Sequence, residues 1–369
     1  MDALISPEIY YVVYINICLF LVVFTLLHTR ILELNNPKNL RFINFSGYVL
    51  LVFLILYIGQ RPISYKFGDT GNYYKAYVAY QNGASISESV GDYGWHVFMK
   101  AAAQVMSIHS FFTIIAFIYI YPLYRISIAF FKEYWYYAFL MFVISFSFYT
   151  YGVNGIRNGA ALSFFLWGLT YRKNKVIMGI LFLFAILFHK TAFLPILAYI
   201  FTYFYNNPKT FFKVWLACIP LSLFIGNVWI TLFTNLGFGG DRLAGYLTTE
   251  VDKGSFSSTG FRWDFLFHSA FAVFAGWYFI YKKQFQDKLY FQLLNTYLIA
   301  NGFWILVIKA NFSNRFAYLS WFMMAIIIIY PLLKQQFFKN QHVIIGKVVL
   351  AYFAFTYIMY YIYYADTHQ

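Results

Sequence analysis

The sequence has 369 residues, of which 62% are hydrophobic and only 11% are charged. Soluble domains carry about 25% charged residues, so this chain has too little polar surface to cover a water-soluble core. The composition excludes a soluble globular protein and predicts a polytopic membrane protein. Its two cysteines, Cys18 and Cys218, lie in apolar stretches, where we expect buried thiols and no disulfide.

The formal net charge of +14 reflects membrane topology and does not indicate nucleic-acid binding. Lys and Arg collect in alternate loops, where few acids accompany them. These loops contain Arg30, Lys38, Arg41, Arg125, Lys132, Arg172, Lys173, Lys175, Lys209, Lys213, Lys282, Lys283, Lys288, Lys334, Lys339 and Lys347. Because basic loops of membrane proteins face the cytoplasm, this distribution predicts which loops are inside.

Apolar stretches separated by charged breaks predict an all-α protein with about twelve transmembrane helices in one domain, residues 1–369. The N-terminus lacks a basic segment and a small-residue cleavage site, so we expect a retained first helix and both termini outside the cytoplasm. The predicted spans are 6–28, 43–60, 110–131, 135–152, 155–172, 176–189, 190–205, 211–235, 264–282, 288–309, 314–333 and 344–364.

Residues 176–205 are an apolar stretch interrupted only by FHKTAFLP. The whole stretch is too long for one ordinary span and short for two. We place a break at His189 because the flanking segments, YRKNK and NNPKTFFK, are both basic. Two crossings keep both flanks on the cytoplasmic side, whereas one crossing would disturb the charge alternation downstream.

Two longer loops, 61–109 and 236–263, are predicted at the outer face, where function is expected. In the first loop Asp69 precedes a stripe of tyrosines at helical spacing, Tyr73, Tyr77 and Tyr80. Asp69 is either the N-cap of an interfacial helix or a carboxylate beside aromatic platforms for sugar rings. A second amphipathic stretch in this loop predicts a helix in the interface plane and contains Trp95, Phe98, Ala102 and Val105.

Arg157 begins the fifth predicted span, in the segment YGVNGIRNGAA. Gly155 and Gly159 allow a helix or a ligand to approach the backbone closely, and the free N–H groups of a helix start favour an anion. A guanidinium at this position suits a phosphate or diphosphate. The alternative is an arginine that extends to the membrane surface beside a packing face of small residues.

Other polar residues are predicted at the same outer face. His189 is either a base for a sugar hydroxyl or a hydrogen-bonded interfacial histidine, and His268, one turn beyond Asp264, is a weaker candidate. Arg315 begins the eleventh span after a candidate N-cap, Asn314, whereas Arg242 lies in the second outer loop as a solvated or loop-ordering residue. The sequence has no HExxH, CxxC pair or Walker A motif, so neither a metal site nor nucleotide-driven chemistry is expected.

Four short motifs together resemble the EpsG/Wzy-type polysaccharide polymerases. They are, in chain order, GDTGNYY in the first outer loop, YGVNGIRNGAA, AILFHKTAFL and NRFAYL. The similarity spans roughly residues 65–320. The sequence departs from the family pattern at two positions, where Asn158 replaces the usual Gln after the arginine and Thr191 replaces the usual Ser after the histidine. Both replacements keep a hydrogen-bonding side chain.

The resemblance implies an inverting, GT-C-like membrane glycosyltransferase without a cofactor. Such enzymes polymerise oligosaccharide units carried on undecaprenyl diphosphate into O-antigen, capsular polysaccharide or exopolysaccharide at the outer face of the bacterial cytoplasmic (inner) membrane. Donor and acceptor are both lipid-linked oligosaccharides, and the expected partners are a flippase and a chain-length regulator.

The resemblance also suggests roles for individual residues. Arg157 and Arg315 would bind the diphosphate, with Arg242 or Lys190 as helpers. His189 would be the base, with Asp69 as the competing candidate. The residues expected to bind sugar are Asn158, Tyr73 and Tyr318.

Three other functions remain open at this point: a lipid-linked oligosaccharide flippase or polysaccharide transporter, a membrane acyltransferase, and a polymer-to-lipid ligase. Transporters place their binding groups near the midplane on broken helices, whereas the predicted mid-span regions here are almost free of charge. The basic loops offer no recognisable chemistry for an acyl donor, and a ligase would share the carrier and the fold class.

Overall fold

The computed structural model describes residues 5–88, 90–235, 260–310 and 313–363, and these segments are helical without any strand. The predicted all-α class is therefore confirmed. In chain order the α-helices are α1 Tyr10–Ile31, α2 Pro37–Gly59, α3 Thr70–Gln81, α4 Tyr93–Ala103, α5 Ile108–Phe131, α6 Trp135–Val143, α7 Phe148–Val153, α8 Ile156–Thr170, α9 Lys175–Phe188, α10 Phe193–Phe204, α11 Pro208–Asn235, α12 Trp263–Trp277, α13 Lys288–Leu306, α14 Asn314–Trp321, α15 Met324–Lys334 and α16 Gln341–Tyr363.

Each of the predicted spans coincides with helical structure, but six described segments are long and apolar enough to cross a membrane. They are Tyr10–Ile31, Pro37–Gly59, Ile108–Val143, Pro208–Phe233, Asn314–Lys334 and Gln341–Ile362. Helices α8, α9 and α10 have 15, 14 and 12 residues. At about 1.5 Å per residue they are shorter than the roughly 30 Å hydrocarbon core. The count of twelve spans therefore stays a prediction.

The chain forms two compact units. Unit 1 comprises Met1–Ala192 and Leu332–Gln369, and unit 2 comprises Phe193–Pro331. Unit 2 is thus an insertion between two stretches of the sequence that make up unit 1. That both units act as the single polymerase domain predicted for residues 1–369 stays a prediction.

In unit 1, α5 packs against α2 and α8, α8 packs against α9, and α1 packs against α16. Close packing on α8 requires Gly159, because a Cβ there would lie 2.5 Å from the Tyr151 carbonyl oxygen. Every residue of α6 is buried, as expected for a helix that is apolar on all sides.

The fourth predicted span, 135–152, is interrupted in the middle. Helix α6 ends at Val143, and the chain turns before α7 begins at Phe148. The carbonyl groups at this buried helix end are satisfied by hydroxyls from two other helices. Tyr14 of α1 donates to the Val143 carbonyl, and Thr356 of α16 donates to the Ile144 carbonyl at 2.9 Å. These bonds supply the partners that a helix end inside a membrane protein needs.

The predicted helix break at His189 is confirmed. Helix α9 ends at Phe188, His189 is extended with φ −155° and ψ 117°, and one short 3₁₀ turn, Lys190–Ala192, precedes α10. The break places a polar segment between two apolar helices. His189 and Lys190 consequently lie at a helix end, where their backbone and side-chain groups can reach other elements.

Unit 2 is built around α13, which contacts α10, α11 and α14. A buried hydrogen-bond network centred on Asn301 joins four of its helices. The Asn301 side chain accepts from Trp215 Nε1 at 2.7 Å and donates to Ser269 Oγ at 3.1 Å and Ser320 Oγ at 3.0 Å. Because every polar group of this fully buried amide has a partner, the network holds the packed helices in one arrangement.

Candidate active site

The first long loop contains the pattern Gly-Asp-Xaa-Gly twice, at residues 68–71 and 91–94, and each aspartate immediately precedes a helix. Asp69 precedes α3, and Asp92, in the left-handed conformation with φ 56°, precedes α4. Gly94 lets the start of α4 approach α9, because a Cβ at Gly94 would lie 2.8 Å from the Leu187 carbonyl oxygen. This close approach brings Asp92 to the chain break after α9.

Asp92 is the centre of a cluster of charged groups in unit 1. Its Oδ2 accepts a hydrogen bond from Arg157 Nη1 at 3.1 Å, and His189 Nε2 lies 4.0 Å from the same oxygen. Its Oδ1 accepts from the backbone N–H of Lys190 at 3.0 Å. The Asp92 side chain is 9% exposed, so its carboxylate depends on these partners for stabilisation. The carboxylate thus connects the start of α8 with the break between α9 and α10.

The Arg157 guanidinium is held from a second side by α3. Its Nε donates to the Tyr73 hydroxyl at 3.3 Å, and its carbon atom lies 5.9 Å from the centre of the Tyr73 ring. Trp95 packs edge-on against Tyr73 with ring centres 5.6 Å apart, which supports the tyrosine from behind. Arg157 Nη2 makes no hydrogen bond to another described residue and is therefore available to a ligand.

His189 uses its second ring nitrogen to bind Thr191. Nδ1 accepts from the Thr191 hydroxyl at 2.7 Å and from the Thr191 backbone N–H at 3.4 Å. A backbone N–H can only donate, so Nδ1 is the acceptor, and the proton of the neutral ring lies on Nε2, on the side of Asp92. The order Thr191 hydroxyl, imidazole, carboxylate resembles the arrangement by which a histidine is activated as a base.

Asp69, the competing candidate base, interacts electrostatically with Arg157 but makes its hydrogen bonds elsewhere. Its Oδ1 accepts from the Asn72 amide at 3.2 Å, and its side chain makes no N-cap hydrogen bond. Its backbone N–H donates to Asn154 Oδ1 at 2.9 Å. Gly68, with φ +57°, is required beside Asn154, because a Cβ there would lie 2.4 Å from the same oxygen.

A buried arginine fixes this turn to α7. Arg61 is 1% exposed and donates to the Thr70 hydroxyl at 3.1 and 3.2 Å and to the carbonyl of Ile58 at 2.8 Å. Thr70 in turn donates to the Val153 carbonyl at 2.7 Å. Burial lowers the pKa of Arg61 to about 10, so the guanidinium stays protonated at neutral pH.

The structure therefore brings together three of the predicted site residues, Arg157, His189 and Tyr73. Lys190 joins them through its backbone N–H, whereas its side chain is exposed. Asn158 follows Arg157 into α8 and is buried, and its Oδ1 has no hydrogen-bond partner among the described residues.

Two further predicted residues, Arg315 and Tyr318, lie on α14 of unit 2. Arg315 is the second residue of this helix and is exposed, while Tyr318 is buried. The N-cap is Ser313 and not Asn314, because the helix begins one residue earlier than the sequence suggests. Arg242 lies outside the described residues.

The weaker candidate, His268, is a core residue. It is 1% exposed and packs edge-on against Trp321 with ring centres 5.0 Å apart. Asp264, one turn before it, forms an ion pair with Arg262 at 2.6 Å. These contacts favour a packing role for His268.

The amphipathic helix predicted around Trp95 is confirmed as α4. Trp95 and Ala102 are buried, but Val105 lies beyond the end of the helix and is 77% exposed. The helix ends early because the chain turns towards Ser107, whose hydroxyl caps α5 by accepting from the Ser110 N–H at 3.2 Å.

Sequence reasoning missed Asp92, Asn154 and Arg61. The second Gly-Asp-Xaa-Gly pattern was a usable signal for Asp92, because it repeats the pattern that drew attention to Asp69. Asn154 stands three residues before Arg157, and only the approach of the Gly68 turn reveals its role. For Arg61 the sequence offers no signal beyond a basic residue at the end of an apolar stretch.

The fold and the site together define the class of protein. It is a polytopic helical membrane protein with an Arg–Asp–His cluster between helix ends. Residues 47–369, which include the whole cluster, match the sequence model of the EpsG family, so the chain belongs to this family. Comparisons with curated proteins and with solved structures each gave no significant match. Membership of the EpsG family indicates a membrane protein of the polysaccharide-polymerase type.

Proposed function

We propose that the protein is an inverting glycosyltransferase that polymerises undecaprenyl-diphosphate-linked oligosaccharide units at the outer face of the bacterial cytoplasmic membrane. The observation that carries the proposal is the cluster in which Asp92 contacts Arg157 and lies beside His189. It combines a cation for a leaving diphosphate with a histidine that can accept a proton.

Arg157 stabilises the leaving group. As the bond between the sugar and the diphosphate breaks, negative charge develops on the phosphate oxygens, and a cation already oriented towards them stabilises the transition state. Tyr73 and Asp92 orient the guanidinium, Nη2 remains for the phosphate, and the backbone N–H groups at the start of α8 add partial positive charge. Arg315, Arg242 and the Lys190 side chain are the proposed helpers.

His189 accepts the proton of the attacking sugar hydroxyl. The acceptor hydroxyl takes the place of the Thr191 hydroxyl at Nδ1, transfers its proton there and attacks the anomeric carbon, while undecaprenyl diphosphate departs. Asp92, whose Oδ2 lies 4.0 Å from Nε2, stabilises the imidazolium that forms by its negative charge. Asp92 thereby takes the role of a positioning carboxylate, and Asp69, held by Asn72, becomes the less suitable base.

Aromatic and amide groups near the cluster are the proposed contacts of the sugar. Tyr73 presents a ring beside Arg157, and Asn158 has a buried carbonyl oxygen without a hydrogen-bond partner among the described residues. Tyr318 is the proposed sugar contact in unit 2. A flippase and a chain-length regulator are the proposed partners.

The test is a polymerisation assay with the purified protein and a lipid-linked repeat unit, without nucleotide. We expect a ladder of polymers from the wild type and its loss, by about 10²–10³-fold in rate, in Arg157→Ala and His189→Ala. Arg125→Ala is a matched control, because Arg125 also donates to a tyrosine hydroxyl, Tyr121 at 3.1 Å, and lies over its ring.

Three results would contradict the proposal: a full ladder from Arg157→Ala, loss of the ladder in Arg125→Ala alone, or movement of the lipid-linked unit across vesicles without any polymer. The last result would instead support a transporter.

A further inference from the structure

Unit 2 contains a groove that the proposed reaction does not use. It lies between the first half of α11 and helix α12 with the π-helical turn Tyr278–Lys282 that follows it, and its volume is about 640 Å³. The two sides meet at one end, where the rings of Phe212 and Tyr281 are 6.0 Å apart. The groove is therefore formed within a single unit and requires no other part of the chain.

The groove is polar at one end and apolar along its floor. Lys209 and Lys213, one turn apart on α11, line the end near Tyr281, whereas Ala270 and Val273 line the floor. Ala270 is eleven residues before Tyr281, so the floor extends roughly 16 Å along the helix at about 1.5 Å per residue. A molecule that fills this groove has an anionic end and a long apolar remainder.

The charges at the polar end are not compensated by an acidic side chain of the described residues. No acidic residue lines the groove, and Lys209 and Lys213 form no ion pair with any described residue. A third cation, Lys282, lies 5.6 Å from the ring centre of Trp277 at the same end. These ammonium groups can therefore bind an anion without displacing a carboxylate.

Large apolar side chains along the groove are exposed. Leu216 is 58% exposed, Phe274 61% and Trp277 39%, and all three line the groove. Trp and Tyr rings accumulate where a bilayer changes from hydrocarbon to headgroup, and lysines extend from there into the headgroup layer. The groove follows this order, with Trp277 and Tyr281 between the apolar floor and the two lysines. A phospholipid has the same order, from its acyl chains to its charged headgroup.

We propose that this groove binds one anionic phospholipid, with the headgroup phosphate between Lys209 and Lys213 and an acyl chain over Ala270 and Val273. The apolar floor distinguishes a lipid from free phosphate, and the uncompensated lysines distinguish an anionic from a zwitterionic headgroup. The proposal does not depend on the polymerase activity, because the groove is defined by unit 2 alone.

The test is native mass spectrometry of the detergent-solubilised protein titrated with phosphatidylglycerol. We expect one tightly bound lipid in the wild type and about 30-fold weaker binding in the double variant Lys209→Ala/Lys213→Ala, from the usual contribution of two basic residues to binding an anionic membrane. Ala270→Phe fills the half-exposed floor without altering charge and should also abolish the tight site. The control, Lys38→Ala/Lys173→Ala, removes two exposed lysines of unit 1 and should bind as the wild type does.

Three outcomes would overturn the proposal: equal affinity in wild type and Lys209→Ala/Lys213→Ala, equal binding of phosphatidylcholine, or full competition by inorganic phosphate alone. Loss of binding in the Lys38→Ala/Lys173→Ala control would count equally against it, because it would show a response to net charge and not to this groove. Size-exclusion chromatography of each variant establishes that the protein is folded before the titration.

Discussion

Two buried polar clusters in this molecule differ in their charge and in their accessibility to other molecules. The Asn301 network of unit 2 is neutral, fully buried and saturated, with each amide group bound to a protein partner. The cluster around Asp92 in unit 1 is charged and partly accessible, with side chains of Arg157 and His189 that are 12% and 20% exposed. The saturated network stabilises the fold, whereas the charged cluster includes a guanidinium nitrogen without a hydrogen bond to a described residue and an imidazole that is partly accessible.

Asp92→Asn is expected to have the largest effect on the charged cluster. The amide keeps the size of the side chain but removes the charge that orients Arg157 and stabilises a protonated His189. We expect polymerisation to fall by about 10³-fold, within the range that general acid–base catalysis contributes. Rates of polymer formation by equal amounts of folded protein are the measurement.

A positioning role predicts that Asp92→Glu, which keeps the charge, restores part of the activity that Asp92→Asn loses. Asp69→Asn is the matched control from the first Gly-Asp-Xaa-Gly pattern and should retain more activity. If Asp69→Asn were the more damaging change, the assignment of the carboxylate would be wrong.

The opposite test is Asn301→Leu in the saturated network. The substitution leaves Trp215 Nε1 without its partner and removes one hydrogen bond from each of two serine hydroxyls, so we expect about 3 kcal/mol lower stability. The midpoint of unfolding in an SDS titration is the measurement. Asn227→Leu, an exposed site on α11, should change the midpoint little. Activity per folded molecule should persist in Asn301→Leu, and its specific loss would mean that this network is more than structural.

The smallest expected effect concerns Thr191. Thr191→Val keeps the shape of the side chain but removes the hydroxyl that orients His189 through Nδ1 before the acceptor binds. The rate should therefore fall by about 5-fold, the value of one neutral hydrogen bond. Thr191→Ser should behave like the wild type. A loss in Thr191→Val as large as in His189→Ala would show that the hydroxyl takes part directly in the reaction.

Much of the fold could be predicted because apolar length and helix breakers act locally. The break at His189 follows from polar residues inside an apolar stretch whose two flanks are both basic, and the tyrosine stripe of α3 follows from helical spacing. The number of membrane crossings could not be predicted equally well, because helices such as α10 are too short to cross alone and depend on their neighbours.

The site could be predicted only in part, for a related reason. Arg157 and His189 can be recognised in the sequence because they lie at the ends of apolar stretches. Asp69 and Asp92 share the same local pattern, and only the tertiary approach of Gly94 to Leu187 shows that Asp92 is the carboxylate within 4.0 Å of both of them. Arg61 looks like an ordinary boundary residue until the surrounding turns enclose it.

The pairing of α1 with α16 has a consequence for biosynthesis. Because unit 2 interrupts unit 1, the ribosome makes more than 300 residues between the first helix and the helix that it packs against. During that time α1 lies in the bilayer without its partner, and its closing contact is among the most distant in the chain, a property that slows folding. A nascent chain halted before residue 341 should therefore be an early target of membrane quality control.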